Sequence, residues 1–300
     1  IAPTEWLMIP IAVLVIAAGI AYWSTRQGRD APPAGLGRSV PAAGRYALLS
    51  LVLLLVLARG YLGPIVNGWS YPRGVDRYEH AVMAGMMMRE GSTESFMLYP
   101  PGFHLLTAMI SRFSGIGPLE VFPILAPMLP LMGALACYAL AKRLWGWEYG
   151  VAAALTSGLL LGGTYLHFEE ARYPNFIGEY FLIVLAVAAL FGMYDSPSAR
   201  AGLLLALVGS ATVLYHQIAG YTLAVLLGLV CVLFLPYLLL KDRRKGVYLG
   251  LSLALLGLLS VIYAWDTYDL PSLVVGMLGG SETGRGGESV PMAIGTKPAS

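Results

Sequence analysis

Three short segments collect side chains that could do chemistry in an otherwise apolar sequence. The first is GVDRYEHAV, where Asp76, Glu79 and His80 stand at positions i, i+3 and i+4. This spacing predicts that the three side chains share one face of a helix. Because Gly74 precedes Asp76 and His80 follows it, we interpret the segment as one whose conformation is fixed around Asp76, and therefore as a candidate functional site. The alternative is a structural cap whose acids are simply solvated.

The other two segments add an aromatic ring, an imidazole and adjacent carboxylates. YPPGFH contributes Tyr99 and His104, and HFEEARYPNF places Glu169 and Glu170 beside Arg172. Adjacent carboxylates repel each other unless a cation or an arginine relieves them. Oxygen ligands of this kind suit hard divalent cations, so Glu169 and Glu170 are candidate ligands for Mg²⁺, Mn²⁺ or Ca²⁺. The alternative is a pair of solvated acids with a salt bridge inside the loop.

Two further ionisable residues interrupt apolar sequence. Arg59 lies inside an apolar run, where an ionisable side chain is costly and is by default a functional candidate. Its alternative is a side chain that snorkels toward the membrane interface. His216, in LYHQIAGY, marks a tight turn between two apolar runs and could either contact a lipid phosphate or cap a helix. Cys137 and Cys231 also fall in apolar runs and form no CxxC motif, so we expect them to be buried apolar residues.

The elements that must position these residues are membrane spans. The 300-residue chain is 57% hydrophobic, only 12% charged and has a mean hydropathy of +0.70, whereas soluble domains carry about 25% charged residues. A spanning helix needs about 20 mostly apolar residues. We therefore predict an all-α polytopic membrane protein of about eight spans, with spans near residues 7–24, 46–66, 119–141, 150–166, 175–194, 201–215, 219–240 and 247–265.

The charges in the loops predict the orientation, because cytoplasmic loops carry an excess of lysine and arginine. One set of alternate loops is basic and should be cytoplasmic: Arg26, Arg29, Arg38, Arg45, Lys142, Arg143, Arg200, Lys241, Arg243, Arg244 and Lys245. The opposite loops are richer in acids: Asp76, Glu79, Glu90, Glu94, Glu169, Glu170, Asp266 and Asp269. The four histidines all lie on this second side or at its boundary, so any chemistry is expected to face outward.

The long predicted outer loop, 67–118, is more than a linker. DRYEHAVMAGMMMREG reads as one helix with an apolar stripe, and Phe103–Phe113 reads as a second helix that is amphipathic and too short to span. We predict that both lie in the membrane interface. The predicted organisation is an additional N-terminal span and cytoplasmic linker at 1–45, a main membrane module at 46–270, and a Gly-rich outer tail at 271–300 that could lead into further sequence.

An outer loop with an early aspartate and two interfacial helices, followed by a second outer loop with paired acids, resembles a known plan. The chain is similar to the GT-C superfamily of integral-membrane glycosyltransferases, which includes protein O-mannosyltransferases and the aminoarabinose transferases of lipid A. The resemblance covers the spans from Tyr46 to Trp265 and rests on topology together with GVDRYEH, YPPGFH and HFEEARYP. No WWDYG-like signature of the oligosaccharyltransferases is present in the sequence.

The resemblance implies a site and a reaction. Asp76 matches the catalytic aspartate of the first loop, which is expected to act as general base while an acceptor hydroxyl attacks a polyprenyl-phosphate sugar with inversion. Glu169 and Glu170 match the second-loop acidic motif, which binds a divalent cation in some members. The further candidates for binding substrate are Glu79, His80, Tyr99, His104, Arg59, Arg172 and His216. Of these, Arg59, Arg172 and His216 could stabilise the leaving lipid phosphate.

The expected partners are the lipid-linked donor, a lipid, glycan or protein acceptor, and the bilayer of a bacterial or archaeal plasma membrane. A transporter or lipid flippase is the main alternative, but the sequence shows neither an internal repeat nor frequent charges at mid-depth. A non-catalytic membrane scaffold is a third reading. No Gly-rich phosphate loop supports a nucleotide-sugar enzyme, and the dispersed basic residues give no indication of nucleic-acid binding.

Overall fold

The chain is helical throughout the part that the computed structural model describes, which comprises residues 41–68, 74, 76–91, 100–160 and 170–267. These residues contain no strand. Five of the helices are long and apolar enough to cross a membrane. The prediction of a helical integral membrane protein is therefore confirmed.

The N-terminal half of the described chain contains two long helices and three shorter ones. Helix α1 spans Ala42–Asn67, α2 spans Asp76–Glu90, α3 spans Gly102–Ser114 and α4 spans Pro118–Trp145. Helix α5 begins at Trp147 and continues as a π-helical turn to Leu160.

The C-terminal half contains four helices. Helix α6 is Tyr173–Asp195, α7 is Ala199–Tyr215, α8 is Gln217–Lys241 and α9 is Arg243–Thr267. Helix α6 contains a π-helical stretch at Phe176–Leu182, and α8 contains one at Val230–Phe234.

The predicted spans agree with these helices where the structure describes them. The spans at 46–66, 119–141, 175–194, 219–240 and 247–265 fall within the five long apolar helices α1, α4, α6, α8 and α9. The span at 201–215 falls within α7, which has only 17 residues. The span at 150–166 overlaps α5 but continues beyond the described residues, and the span at 7–24 lies outside them.

The two predicted interfacial segments both form helices. Helix α3 is amphipathic: Phe103, His104 and Ser111 are buried, whereas Met109 and Phe113 are exposed. Helix α2 packs on α3 through a small cluster centred on Ala84, Met87 and Ala108. The position of these helices in a membrane interface stays a prediction.

Single residues separate consecutive helices at three places. These residues are Gly146 between α4 and α5, His216 between α7 and α8, and Asp242 between α8 and α9. Gly146 has a φ of +111°, a conformation that side chains other than hydrogen rarely adopt. Neighbouring helices are thereby joined directly, with no loop between them.

The largest core lies where α3, α4, α6, α7 and α8 meet. Its centre consists of side chains that are at most 3% exposed, including Phe103, Phe122, Leu129, Phe176 and Leu223. Aromatic rings from α3, α4 and the start of α6 therefore pack together beneath the segment that carries α2.

Candidate functional site

The two predicted outer loops meet at Gly74. A Cβ placed on this residue would lie 2.5 Å from the carbonyl carbon of Glu170 and 2.7 Å from the Cβ of Ala171. Its φ is +121°, so both the conformation and the close approach require glycine. Ala171 itself has a φ of +60°, which is uncommon for alanine. We call this contact between Gly74 and residues 170–171 the loop junction.

Asp76 lies beside the loop junction at the beginning of α2. It is the first residue of that helix and is partly exposed. Two residues of chain span at most about 7 Å, so the backbone of Asp76 is within that distance of Gly74. A carboxylate in the first turn also interacts favourably with the positive end of the helix dipole. The Asp76 carboxylate therefore lies at the positive end of α2 and is partly accessible to solvent.

The second-loop acid at the junction is paired with an arginine. The Nε of Arg172 lies 2.9 Å from Oε2 of Glu170 in an ion pair, and the two side chains are 32% and 40% exposed. A salt bridge inside the loop was the alternative to a metal site, and the structure shows such a pair for Glu170. Glu169 lies outside the described residues.

His80 and His104 are brought together in the interior. Nδ1 of His80 lies 2.9 Å from Nε2 of His104, and this hydrogen bond joins α2 to α3. The two residues are 5% and 0% exposed. Burial lowers the pKa of His80 to about 4, although a hydrogen bond with the backbone of Ala171 opposes this effect. Both imidazoles of the pair thus belong to the packing of the site.

The pKa of His104 is lowered further, to about 3. Burial is the main cause, the neighbouring His80 adds to it, and a hydrogen bond with the backbone of Pro100 opposes it. At neutral pH neither imidazole therefore carries a charge. Whether His80 and His104 bind substrate stays a prediction.

Aromatic rings enclose this histidine pair. The ring of His80 lies 5.3 Å from that of Phe103 and 6.1 Å from that of Tyr173. Tyr173 lies 5.5 Å from both Phe103 and Phe122. The segments GVDRYEHAV, YPPGFH and HFEEARYPNF, which are far apart in the sequence, therefore converge on one cluster.

The expected common face of α2 is only partly observed. Glu79 is exposed and Asp76 is partly exposed, whereas His80 is buried. Adjacent helical positions are about 100° apart, so a buried His80 turns Glu79 toward solvent. The helix therefore turns Glu79 away from the imidazole, whereas Asp76, four residues before His80, stays near the same face.

A second ionisable pair lies below the junction, and half of it was missed by sequence reasoning. Oε1 of Glu179 is 3.4 Å from Nδ1 of His216, and the side chains are 7% and 9% exposed. Glu179 stands in the π-helical stretch of α6, and π-helical turns are frequent at functional sites. The sequence signal for Glu179 is an acidic residue inside an apolar run, which is by default a functional candidate. It was overlooked because the residue falls within a predicted span.

The turn at His216 packs against two glycines, Gly178 and Gly102. A Cβ on Gly178 would lie 2.7 Å from the Cβ of His216, and a Cβ on Gly102 would lie 2.8 Å from the carbonyl oxygen of Leu214. The turn between α7 and α8 therefore packs against both α6 and the start of α3. We call the end of the bundle that carries the loop junction and this turn the junction end.

The remaining candidates are placed as follows. Arg59 lies in α1, next to Gly60, whose backbone packs closely against Pro127 of α4. Tyr99 lies outside the described residues. Within those residues no group of three or more His, Cys, Asp or Glu side chains is arranged to hold a metal ion. The divalent cation at Glu169 and Glu170 stays a prediction.

One further cation near the site was not expected from the sequence. Arg77 follows Asp76, donates to the hydroxyl of Tyr78 at 2.8 Å and lies 4.5 Å from the centre of that ring. It also acts electrostatically on the Tyr173 hydroxyl. This hydroxyl is buried and makes no hydrogen bond to any residue that the structure describes. The junction end thus combines accessible carboxylates with two guanidinium groups, those of Arg77 and Arg172.

Comparisons with protein-family models, with curated proteins and with solved structures give no significant match to this chain.

Proposed function

We propose that the protein is a membrane glycosyltransferase of the GT-C type. It transfers a sugar from a polyprenyl-phosphate donor to a hydroxyl acceptor on the extracytoplasmic face, with inversion at the anomeric carbon. The observation that carries the proposal is the loop junction, because it holds Asp76 close to the Glu170–Arg172 pair. A transfer reaction needs a base and a cation within reach of one substrate, and these two loops supply both.

The proposed step is a single displacement. Asp76 accepts the proton of the acceptor hydroxyl, whose oxygen forms a bond to the anomeric carbon. The bond from that carbon to the phosphate oxygen breaks, and its electron pair leaves with the lipid phosphate. Cationic donors that are already in place stabilise the charge that develops on this oxygen. Arg77 and Arg172 are cations of the described residues beside the junction that would take this role.

Membrane geometry supports the same proposal. A polyprenyl tail stays in the bilayer while its phosphate lies at the interface, and the junction end gathers ionisable residues at the ends of long apolar helices. A divalent cation bound through Glu169 and Glu170 would add a further positive charge for the phosphate. The acceptor is proposed as a hydroxyl of a lipid, a glycan or a protein.

The test is a transfer assay with the full chain in nanodiscs. Radiolabelled polyprenyl-phosphate mannose, arabinose and glucose are offered with a membrane-lipid extract, with and without EDTA. Wild type is compared with Asp76→Asn and with Glu120→Gln, which removes another exposed first-turn carboxylate, at the start of α4. We expect transfer by wild type and Glu120→Gln and at least a hundredfold loss in Asp76→Asn.

The other outcomes separate the alternatives. Transfer that survives Asp76→Asn would reject the base, and loss in EDTA would indicate a metal. If no donor is used, flux of the labelled lipid across liposomes tests the transporter or flippase reading. A chain inactive in both assays would fit the scaffold reading.

A further inference from the structure

The end of the bundle opposite the junction end carries the basic loops, and contacts between helices hold them together. Nη2 of Arg143, near the end of α4, lies 3.2 Å from Oδ2 of Asp195 at the end of α6. Nζ of Lys245, at the start of α9, lies 4.3 Å from the ring centre of Tyr194. The ends of α4 and α6 and the α8–α9 hairpin therefore share one rim, which we call the basic end.

The α8–α9 hairpin concentrates positive charge within five residues. Lys241, Arg243, Arg244 and Lys245 surround the lone carboxylate of Asp242. The hairpin is tight, since a Cβ on Gly246 would lie 2.8 Å from the backbone nitrogen of Leu239. Four cations are thus fixed close together by the backbone.

The carboxylate of the hairpin is already engaged. Oδ1 of Asp242 accepts from the backbone nitrogen of Lys245 at 3.2 Å, and Oδ2 lies 3.9 Å from the ammonium of the same residue. Arg243 and Arg244 are both exposed, and neither forms an ion pair with any residue in the described part of the chain. Arg244 makes only a distant contact, 6.0 Å, with the ring of Tyr248.

Exposed apolar surface begins directly beside these cations. Leu240, which precedes Lys241, is 91% exposed, and Val247 on the other side of the hairpin is 44% exposed. Helices α8 and α9 are the least buried of the five long apolar helices. A guanidinium pair at a helix end above uncovered apolar side chains matches a molecule with a charged head and hydrocarbon tails.

We propose that the α8–α9 hairpin binds the head group of an anionic phospholipid through Arg243 and Arg244. The planar guanidinium groups offer paired donors to phosphate oxygens, which an ammonium group does not. The adjoining leucine and valine surface takes the acyl chains. The positive-inside rule requires only excess charge on this side, whereas a head-group site requires these two arginines at this place. The inference is independent of the proposed transferase activity.

Native mass spectrometry of the full chain in detergent tests the proposal. Phosphatidylglycerol and phosphatidylcholine with identical acyl chains are titrated against wild type, Arg243→Gln/Arg244→Gln, and the matched control Lys142→Gln/Arg200→Gln. The control removes the same charge from two other exposed residues at the basic end. We expect phosphatidylglycerol to bind wild type and the control equally within twofold, and the arginine variant at least fivefold more weakly.

The charge-conserving variant Arg243→Lys/Arg244→Lys controls for loss of folding. It also tests whether binding depends on the paired donors of the guanidinium groups. It should retain the charge but bind phosphatidylglycerol about threefold more weakly than wild type. Equal weakening by the glutamine pair and by the control would overturn the proposal in favour of general charge attraction. So would equal binding of the two lipids by wild type, or displacement of the lipid by millimolar inorganic phosphate, which would indicate a site for free phosphate.

Discussion

Replacing Gly74 by alanine should open the loop junction. The new Cβ would meet the backbone of Glu170 at 2.5 Å, and backbone atoms cannot move aside as the end of a flexible side chain can. Gly91 is the matched control. It directly follows α2, the helix that begins shortly after Gly74, and its φ is also positive, at +68°, but no atom of a more distant described residue lies within 4 Å of its Cβ position. Alanine at Gly91 strains the backbone by about 1–2 kcal/mol, and alanine at Gly74, whose φ of +121° lies outside the left-handed helical region, by about 1–3 kcal/mol. Only Gly74→Ala adds overpacking, which costs about 1–3 kcal/mol.

Amide hydrogen exchange measures this difference where it arises. If the junction opens locally, the excess of 1–3 kcal/mol should make the amides of α2 exchange about 5- to 150-fold faster in Gly74→Ala than in Gly91→Ala. Amides in the middle of α4 should exchange at the same rate in both variants, since they lie far from either glycine. Equal protection of α2 in the two variants would show that Gly74 does not hold the outer loops together.

Three other perturbations give equally definite outcomes. As the pH falls from 6.5 toward 4, the lowered pKa values of His80 and His104 keep both imidazoles neutral in the folded chain while each takes up a proton in the unfolded chain, so each should lower the free energy of unfolding by about 3 kcal/mol. The loss from His104 continues below pH 4, toward its own pKa of about 3. His80→Gln should remove about half of the dependence between pH 6.5 and 4 in thermal melts, and an unchanged pH dependence would contradict this assignment. Glu179→Gln and His216→Gln should each lower the free energy of unfolding by about 3 kcal/mol, because each change leaves a buried partner unpaired. The double variant should lose clearly less than the sum of the two, and additive effects in this double-mutant cycle would contradict the pairing. Tyr173→Phe should leave the melting temperature unchanged or raise it, because the lost hydroxyl is buried without a hydrogen bond, and a clear drop would reveal a partner for that hydroxyl.

The helices could be predicted because a span is encoded locally. A run such as 219–240 is apolar all round, and lipid accepts any apolar face, so no knowledge of its neighbours is needed. Helix α3 could also be predicted from its local sequence, because its buried Phe103 and Ser111 alternate with the exposed Met109 and Phe113 at helical spacing.

The site was only partly predictable because its contacts join distant parts of the chain. The three segments were identified from their ionisable residues, yet no local pattern indicates that Gly74 packs on Glu170 or that His80 bonds to His104. The π-helical stretch that carries Glu179 likewise packs against the turn at His216, which is distant in the sequence. Residue spacing predicts which side chains share a face of one helix, whereas these features depend on contacts between several helices.

The single-residue connections restrict how the helices of the bundle can part from one another. His216 pins α7 to α8 at the junction end, so these two helices can separate only toward the basic end. Asp242 pins α8 to α9 at the basic end, so this pair can splay only toward the junction end. If the bundle parts, the seam between α8 and α9 can therefore open level with the loop junction, whereas the α7–α8 seam is tied at that depth.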